Sequence, residues 1–370
     1  MRAPELAGRD ATGRDTTGRD TASDPTRHLP GRAVRLGPLS WRWSPRTVTV
    51  CVVLTAVAVV LAVVCLGRGT IALAPGEVVD ALLGRAAEPT VEHVVLGIRL
   101  PRLVTGLGVG ASLGVAGALF QSISRNVLGS PDLIGFTTGA ATGAILQIVL
   151  LDGGPLQVGA WAVGGGAVSA AVVYALSVSR RGGGGYRLIL VGIGVGALLQ
   201  AANSLLLTRA ALDQALEAEI WLQGSLNGRR WPQAVPVLVV LALAVPVAAA
   251  TSRRLDVLEM GDDTATQLGV RSERSRLVAV VLGVALTAVA TAAAGPIAFV
   301  ALAAPQLVRR LTGATGAHLV PSAFMGATLL VGADLLAQNL PFAWSVPVGL
   351  ATGLLGGLYL LWLLTRKDRA

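Results

Sequence analysis

Residues 47–66 read TVTVCVVLTAVAVVLAVVCL, twenty consecutive residues without a charge. About 20 apolar residues in a helix cross the hydrocarbon of a bilayer, so this run predicts a transmembrane helix. Comparable runs follow at 102–122, 132–151, 156–178, 187–208, 232–251, 275–295, 297–311, 319–340 and 346–364. The expected fold is an all-α integral membrane protein with about ten transmembrane helices. The eighth run is short, with Gly295-Pro296 before it and Pro305 inside it. Such broken segments survive at membrane depth only where protein buries them or where they line a cavity.

Composition leads to the same solvent. Of 370 residues, 53% are hydrophobic and 14% are charged, and the mean hydropathy is +0.67. Soluble domains carry about 25% charged residues, and a soluble surface of this size would need them. The net charge of +9 comes from arginines, with Lys367 the single lysine. They sit in short loops between apolar runs, which is the positive-inside pattern and not a nucleic-acid-binding stripe. Cys51 and Cys65 lie in the first run with no Cys or His at metal-ligand spacing.

Residues 1–46 form a polar cytoplasmic tail, with a degenerate repeat ending at Asp10, Asp15 and Asp20. It has too few apolar residues to fold and is expected to be disordered. It is too long and too acidic to open a cleavable signal peptide. Trp41 and Trp43 are placed as interfacial anchors. The transmembrane domain covers 47–365, with a long inner loop at 252–274. With the N-terminus inside, the loops and ends assigned to the inner side hold sixteen basic residues against seven outside, which places both termini in the cytoplasm.

Glycines recur four apart at Gly106-Gly110-Gly114, Gly139-Gly143 and Gly192-Gly196. In lipid this spacing lets helix backbones approach closely. Asp334 is the one acid well inside a run, and no basic residue lies near it in sequence. A carboxylate at that depth needs a partner or water and is a functional candidate by default. Gln121, Asn126, Gln200, Asn203 and Asp334 are the candidates for lining a translocation pathway. His28, His93 and His318 lie outside the runs and far apart, so neither a metal site nor a catalytic centre is expected. Lys367 is followed by Asp368, so no phosphate-binding Gly-x-x-x-x-Gly-Lys-Ser/Thr loop exists. Any ATP and Mg must bind a separate subunit, and no cofactor is expected on this chain.

In the inner loop, Gly261, Asp262, Asp263 and Thr264 suit a helix start, where free N–H groups and the dipole favour oxygens. Leu268-Gly269 suits its stop. The short helix, holding Ala265, is either a connector or a lever against a soluble partner.

Several strings together resemble the FecCD-type permeases. They are Arg99-Leu-Pro-Arg102, Gly114-Val-Ala-Gly117-Ala-Leu-Phe-Gln121, Arg125-Asn126-Val-Leu-Gly129-Ser-Pro131, Gly224-Ser225-Leu226-Asn227, Gly261-Asp262-Asp263 through Leu268-Gly269, and Gly295-Pro-Ile-Ala-Phe299 through Pro305. The resemblance spans about residues 47–365. It implies a bacterial cytoplasmic-membrane permease subunit of an ATP-driven importer for iron–siderophore, haem or vitamin B12. The runs Gly224–Gly228, Met260–Ala265 and Glu273–Arg276 look most like members that carry ferric enterobactin, a catecholate siderophore. Ten helices are implied, paired with a second permease subunit, two ATP-binding subunits inside and an extracytoplasmic binding protein outside. Arg99 and Arg102 would meet carboxylates of the binding protein, and Gly261–Gly269 would contact the ATPase. Spans two to five and seven to ten lie five spans apart, so any structural repeat between them must be inverted.

Three positions depart from the family pattern. Gln306 follows Pro305 where His is frequent, Ser345 stands where Glu is frequent, and Gln338 stands where some members have Arg. A secondary transporter using Asp334 for ion coupling is the competing reading. A membrane-embedded enzyme would need a nucleophile, base or metal cluster that the sequence does not offer.

Overall fold

In the computed structural model of this chain the described residues are 32–36, 39–69, 71–177, 184–313, 316–339 and 346–367. The Gly-Arg-Asp repeat, Arg180, Arg181 and Ser345 lie outside them. Two short strands, residues 32–36 and 39–43, lie in the N-terminal segment. Arg32–Leu36 (β1) pairs antiparallel with Leu39–Trp43 (β2), with Arg32 opposite Trp43 and Leu36 opposite Leu39. This hairpin belongs to one compact unit, and residues from Arg46 onward form another.

Apart from that hairpin, the described chain is helical. The helices are Pro45–Gly67 (α1), Pro75–Leu82 (α2), Pro89–Glu92 (α3), Leu100–Ser124 (α4), Phe136–Leu151 (α5), Pro155–Ser177 (α6) and Gly184–Arg209 (α7). They continue with Leu212–Leu222 (α8), Trp231–Glu259 (α9), Asp262–Gln267 (α10), Ser272–Ala294 (α11), Val300–Thr312 (α12), Leu319–Gln338 (α13) and Val348–Lys367 (α14). Each predicted run holds a helix. Among the described residues, seven helical stretches are long and apolar enough to cross a membrane: α1, Pro89–Ser124, α6, α7, α9, α11 and α13. Phe136–Leu151 and Val348–Trp362 are apolar but shorter. Helix α12 is shorter still and carries Arg309 and Arg310 in its last turn.

Large apolar side chains point outward on many of these helices. Val60 is 62% exposed, Leu198 74%, Leu243 69% and Leu354 68%, a surface that only lipid or another apolar partner can cover. Burial is graded across the bundle: 6% of the apolar window of α1 is enclosed against 89% of the window ending in α4. Helix α4 is therefore the axis of the bundle, packed by α9, α11, α12 and α13.

The spacing-four glycines explain how closely those helices approach. A Cβ on Gly110 would lie 2.4 Å from the Gly326 carbonyl oxygen, and one on Gly114 2.1 Å from that of Ser322. Gly139 and Gly143 let α6 approach α5 in the same way, with Ser169 and Trp161 as the close neighbours. Gly196 is less tightly packed. A Cβ on Gly196 would meet nothing nearer than Thr138 at 3.8 Å.

Two irregularities set the functional ends. The chain is helical without interruption from Pro89 to Ser124 but widens to a π-helix at His93–Arg99. Pro101 explains this, since its ring lacks an N–H and would strike the carbonyl four residues back in a regular helix. Arg99 and Arg102 thus stand inside a helix, not at a loop-to-helix entry. After α11 the chain breaks at Gly295, and Phe299 adopts φ +68° before α12 begins.

Candidate functional site

Three positions apart on one helix, Arg99 and Arg102 share a face. Their guanidinium groups are engaged differently. The Arg102 Nε and Nη2 donate to Asp334 Oδ2 and Oδ1 at 3.0 and 2.8 Å. Gln338, one turn along α13, donates its Nε2 to Asp334 Oδ2 at 2.7 Å. The Asp334 side chain is 8% exposed and that of Arg102 24%. The partner that sequence could not supply for Asp334 is thus 232 positions upstream, brought across by the close packing of α4 on α13. Arg99 instead donates to backbone, with Nη1 2.6 Å from the Leu66 carbonyl and Nη2 on that of Ile71.

These residues line a cavity of about 350 Å³ with Arg68, Cys65, Leu103 and Leu226. Leu226 comes from the Gly224–Asn227 motif, whose role is architectural. Ser225 N donates to the Ala294 carbonyl at 2.7 Å, and the Gly224 carbonyl accepts from Gly349 N at 3.3 Å. The motif thereby ties the end of α11 to the start of α14.

At the opposite end of α4 lies a chain of charges. Ser122 Oγ donates to Glu259 Oε1 at 2.7 Å, and Arg309 Nη2 reaches the same oxygen at 3.0 Å. Arg125, which terminates α4 in the left-handed region, pairs with Asp262 Oδ2 at 3.0 Å. Arg276 pairs with Asp262 Oδ1 at 3.0 Å. The first residue of α10 is thus pinned from α4 and α11. Asp263, Thr264, Gln267, Leu268 and Gly269 are exposed, while Ala265 is buried. Helix α9 runs on to Glu259, so much of the predicted loop 252–274 is helix. Only 260–261 and 268–271 flank α10 as connectors, with Gly261 at φ +118° and Gly269 at φ +78°.

The other pathway candidates do not converge on one site. Gln121 is buried and donates Nε2 to the Leu302 carbonyl at 3.0 Å. Its Oε1 and the Oδ1 of buried Asn203 have no hydrogen-bond partner among the described residues. Gln200 is exposed on α7. Asn126 Oδ1 accepts from Leu128 N at 2.9 Å within its own turn. Gln306 donates Nε2 to the Val127 carbonyl at 2.7 Å, so at this departure from the family pattern the amide holds the turn after α4.

Sequence reasoning missed Asp132. It lies in a 3-10 turn, Pro131–Ile134, and accepts hydrogen bonds from Thr137 and Ser130. It faces a small recess shared with Thr287, Thr291 and Pro296. Ser130 and Pro131 beside it are buried, while Asp132 itself is exposed at the recess. No group of three or more His, Cys, Asp or Glu residues suited to a metal occurs among the described residues.

The profile of the FecCD transport family matches residues 53–366. The ferric enterobactin transport system permease protein FepG of Escherichia coli (strain K12) is 44% identical over 326 residues, covering 88% of this chain and 98% of that protein. The Fe(3+)-citrate import system permease protein YfmE of Bacillus subtilis (strain 168) is 32% identical, covering 89% and 98%. A solved chain described as an inward-facing conformation of a metal-chelate type ABC transporter superposes with a TM-score of 0.77 at 29% identity, covering 86% and 99%.

Proposed function

The chain belongs to the FecCD transport family, and from this we propose that it is the permease subunit of an ATP-binding-cassette importer for ferric siderophores. The similarity over 98% of the length of a ferric enterobactin permease carries this reading, and catecholate complexes are the substrate class it favours. Transport proceeds by alternating access across the cytoplasmic membrane, in a pair with a second permease subunit.

Loop charge places the Arg309 and Asp262 end in the cytoplasm and the Arg102 end outside. Two ATP-binding subunits dock against the inner end, with the exposed flank of α10 (Asp263, Thr264, Leu268) as the contact. Asp262 holds the lever to the bundle through Arg125 and Arg276, so a push on α10 is delivered to α4 and α11. An extracytoplasmic siderophore-binding protein docks outside, around Arg99 and Arg102. The secondary-transporter reading gains no support, because the Asp334 charge is balanced by Arg102 and not left for an ion.

The test is uptake of iron-labelled siderophores by a strain lacking this gene. Restoration of catecholate uptake on complementation supports the reading. Restoration of haem or vitamin B12 uptake alone would move the substrate class within the family.

A further inference from the structure

The recess at Asp132 lies at mid-depth in the bundle, because Leu113, near the midpoint of α4, lines it. Helix α4 ends before Arg125, so between Arg125 and Asp132 the chain has turned back inward. Two short helices begin beside the recess, α5 at Phe136 and α12 at Val300, and α11 ends at it. Discontinuous helices that meet near the midplane are where transporters hold small ions. A carboxylate at such depth needs a compensating charge. Among the described residues no ion pair engages Asp132, and no basic residue lines the recess. Its hydrogen-bond donors, the hydroxyls of Thr137 and Ser130, are neutral. The nearby helix ends carry only partial charges of mixed sign, since α5 and α12 start there and α11 stops there. Thr287 and Thr291, one turn apart, share a face of α11 that borders the recess. Both are 3% exposed. Thr287 Oγ1 donates to the Gly283 carbonyl at 2.8 Å and keeps its acceptor lone pairs. Among the described residues no hydrogen bond engages the Thr291 hydroxyl.

We propose that Asp132, Thr287 and Thr291 form a site for one monovalent cation of the size of Na+, which balances the carboxylate and ties the turn before α5 to α11. The three side chains offer only hard oxygen ligands, which suit alkali and alkaline-earth ions and not softer transition metals. One carboxylate balances one charge, and no second acid lines the recess. The recess measures about 10 Å³, room for about one water-sized occupant, so a bare Na+ fits where a fully hydrated ion does not. Asp132 is itself exposed, so water completes the coordination from that side. A water alone would satisfy the hydroxyls but leave the charge unbalanced. An ion held in this way stays with the protein, so it is compatible with uptake driven by ATP.

The experiment follows thermal unfolding and binding of radiolabelled Na+ on the full transporter in nanodiscs, in NaCl, KCl and choline chloride at equal ionic strength. Na+ is expected to raise the unfolding midpoint of the wild type by several degrees over choline, as any ligand of the folded state does. Asp132→Asn is expected to abolish that rise and to remove one Na+ site from the complex. Thr291→Val takes away one neutral ligand and is expected to raise the Na+ concentration for half the effect about tenfold. Should Asp132→Asn fail to assemble, Thr291→Val carries the test, and an unshifted Na+ response in it would overturn the site. Equal midpoints in the three salts would leave only a water in the recess and overturn it too, as would a Na+ response in Asp132→Asn as large as in the wild type. A midpoint that follows pH but not the cation would show a proton balancing Asp132, which equally contradicts the proposal.

Discussion

Asp334 receives hydrogen bonds from three donors, two on Arg102 and one on Gln338, and gives none. An amide in its place keeps one acceptor oxygen but turns an NH2 toward a donor. Asp334→Asn is therefore expected to lower stability by about 1.5–3 kcal/mol, the scale of hydrogen bonds to charged groups. Arg102→Lys should be comparably harmful, since an ammonium cannot make the bidentate contact. Thermal unfolding of the detergent-solubilised protein checks both, and midpoints equal to wild type would deny the brace. Sequence exposed Asp334 as an anomaly but could not pair it, because its partner lies two hundred residues away in a segment that reads as a docking motif. Asp132 stayed hidden for the opposite reason. Its local string reads as an ordinary turn, and nothing in it signals that this turn packs against α5, α6 and α7.

At the scale of elements, α4 and α13 cross where Gly110, Gly114, Ser322 and Gly326 leave no room for a Cβ. Gly114→Val should separate the two helices, break the Arg102–Asp334 register and abolish assembly, whereas Gly196→Val, with no atom nearer than 3.8 Å, should be tolerated. Yield of monodisperse protein distinguishes them. A Gly114→Val variant that assembles normally would contradict the packing described here. The spacing-four pattern identified both positions as contact glycines, but pattern alone could not tell the tight crossing at Gly114 from the roomier position of Gly196 on α7. On α10, Asp262→Ala removes the anchor to Arg125 and Arg276 and should lower ATPase stimulation by the binding protein while the ATP-binding subunit still co-purifies. Asp263→Lys alters an exposed residue at a helix start and should reduce co-purification itself. Equal behaviour of the two variants would mean that anchor and contact are not separate. The inner loop was legible as a short helix between glycines, but its anchoring charges were not, since Arg125 and Arg276 come from other segments.

For the whole molecule, the apolar exposure of α1, α7, α9 and α14 and the enclosure of α4 describe a bundle built for lipid around one buried axis. Run lengths were enough to locate its helices, because the bilayer imposes a length on each segment separately. Interactions between segments escaped sequence reading, and they are what distinguish the end braced by Arg102 and Asp334 from the end pinned through Asp262. That division suits a protein driven from one side by ATP hydrolysis on another subunit and supplied from the other by a binding protein. The measurement that tests this most directly is uptake of ferric siderophore into proteoliposomes holding the chain with its permease partner, ATP-binding subunits and external binding protein. The account predicts uptake that requires internal ATP and persists when ionophores collapse every ion gradient. Uptake that proceeds without the ATP-binding subunits and stops with the gradient would contradict it.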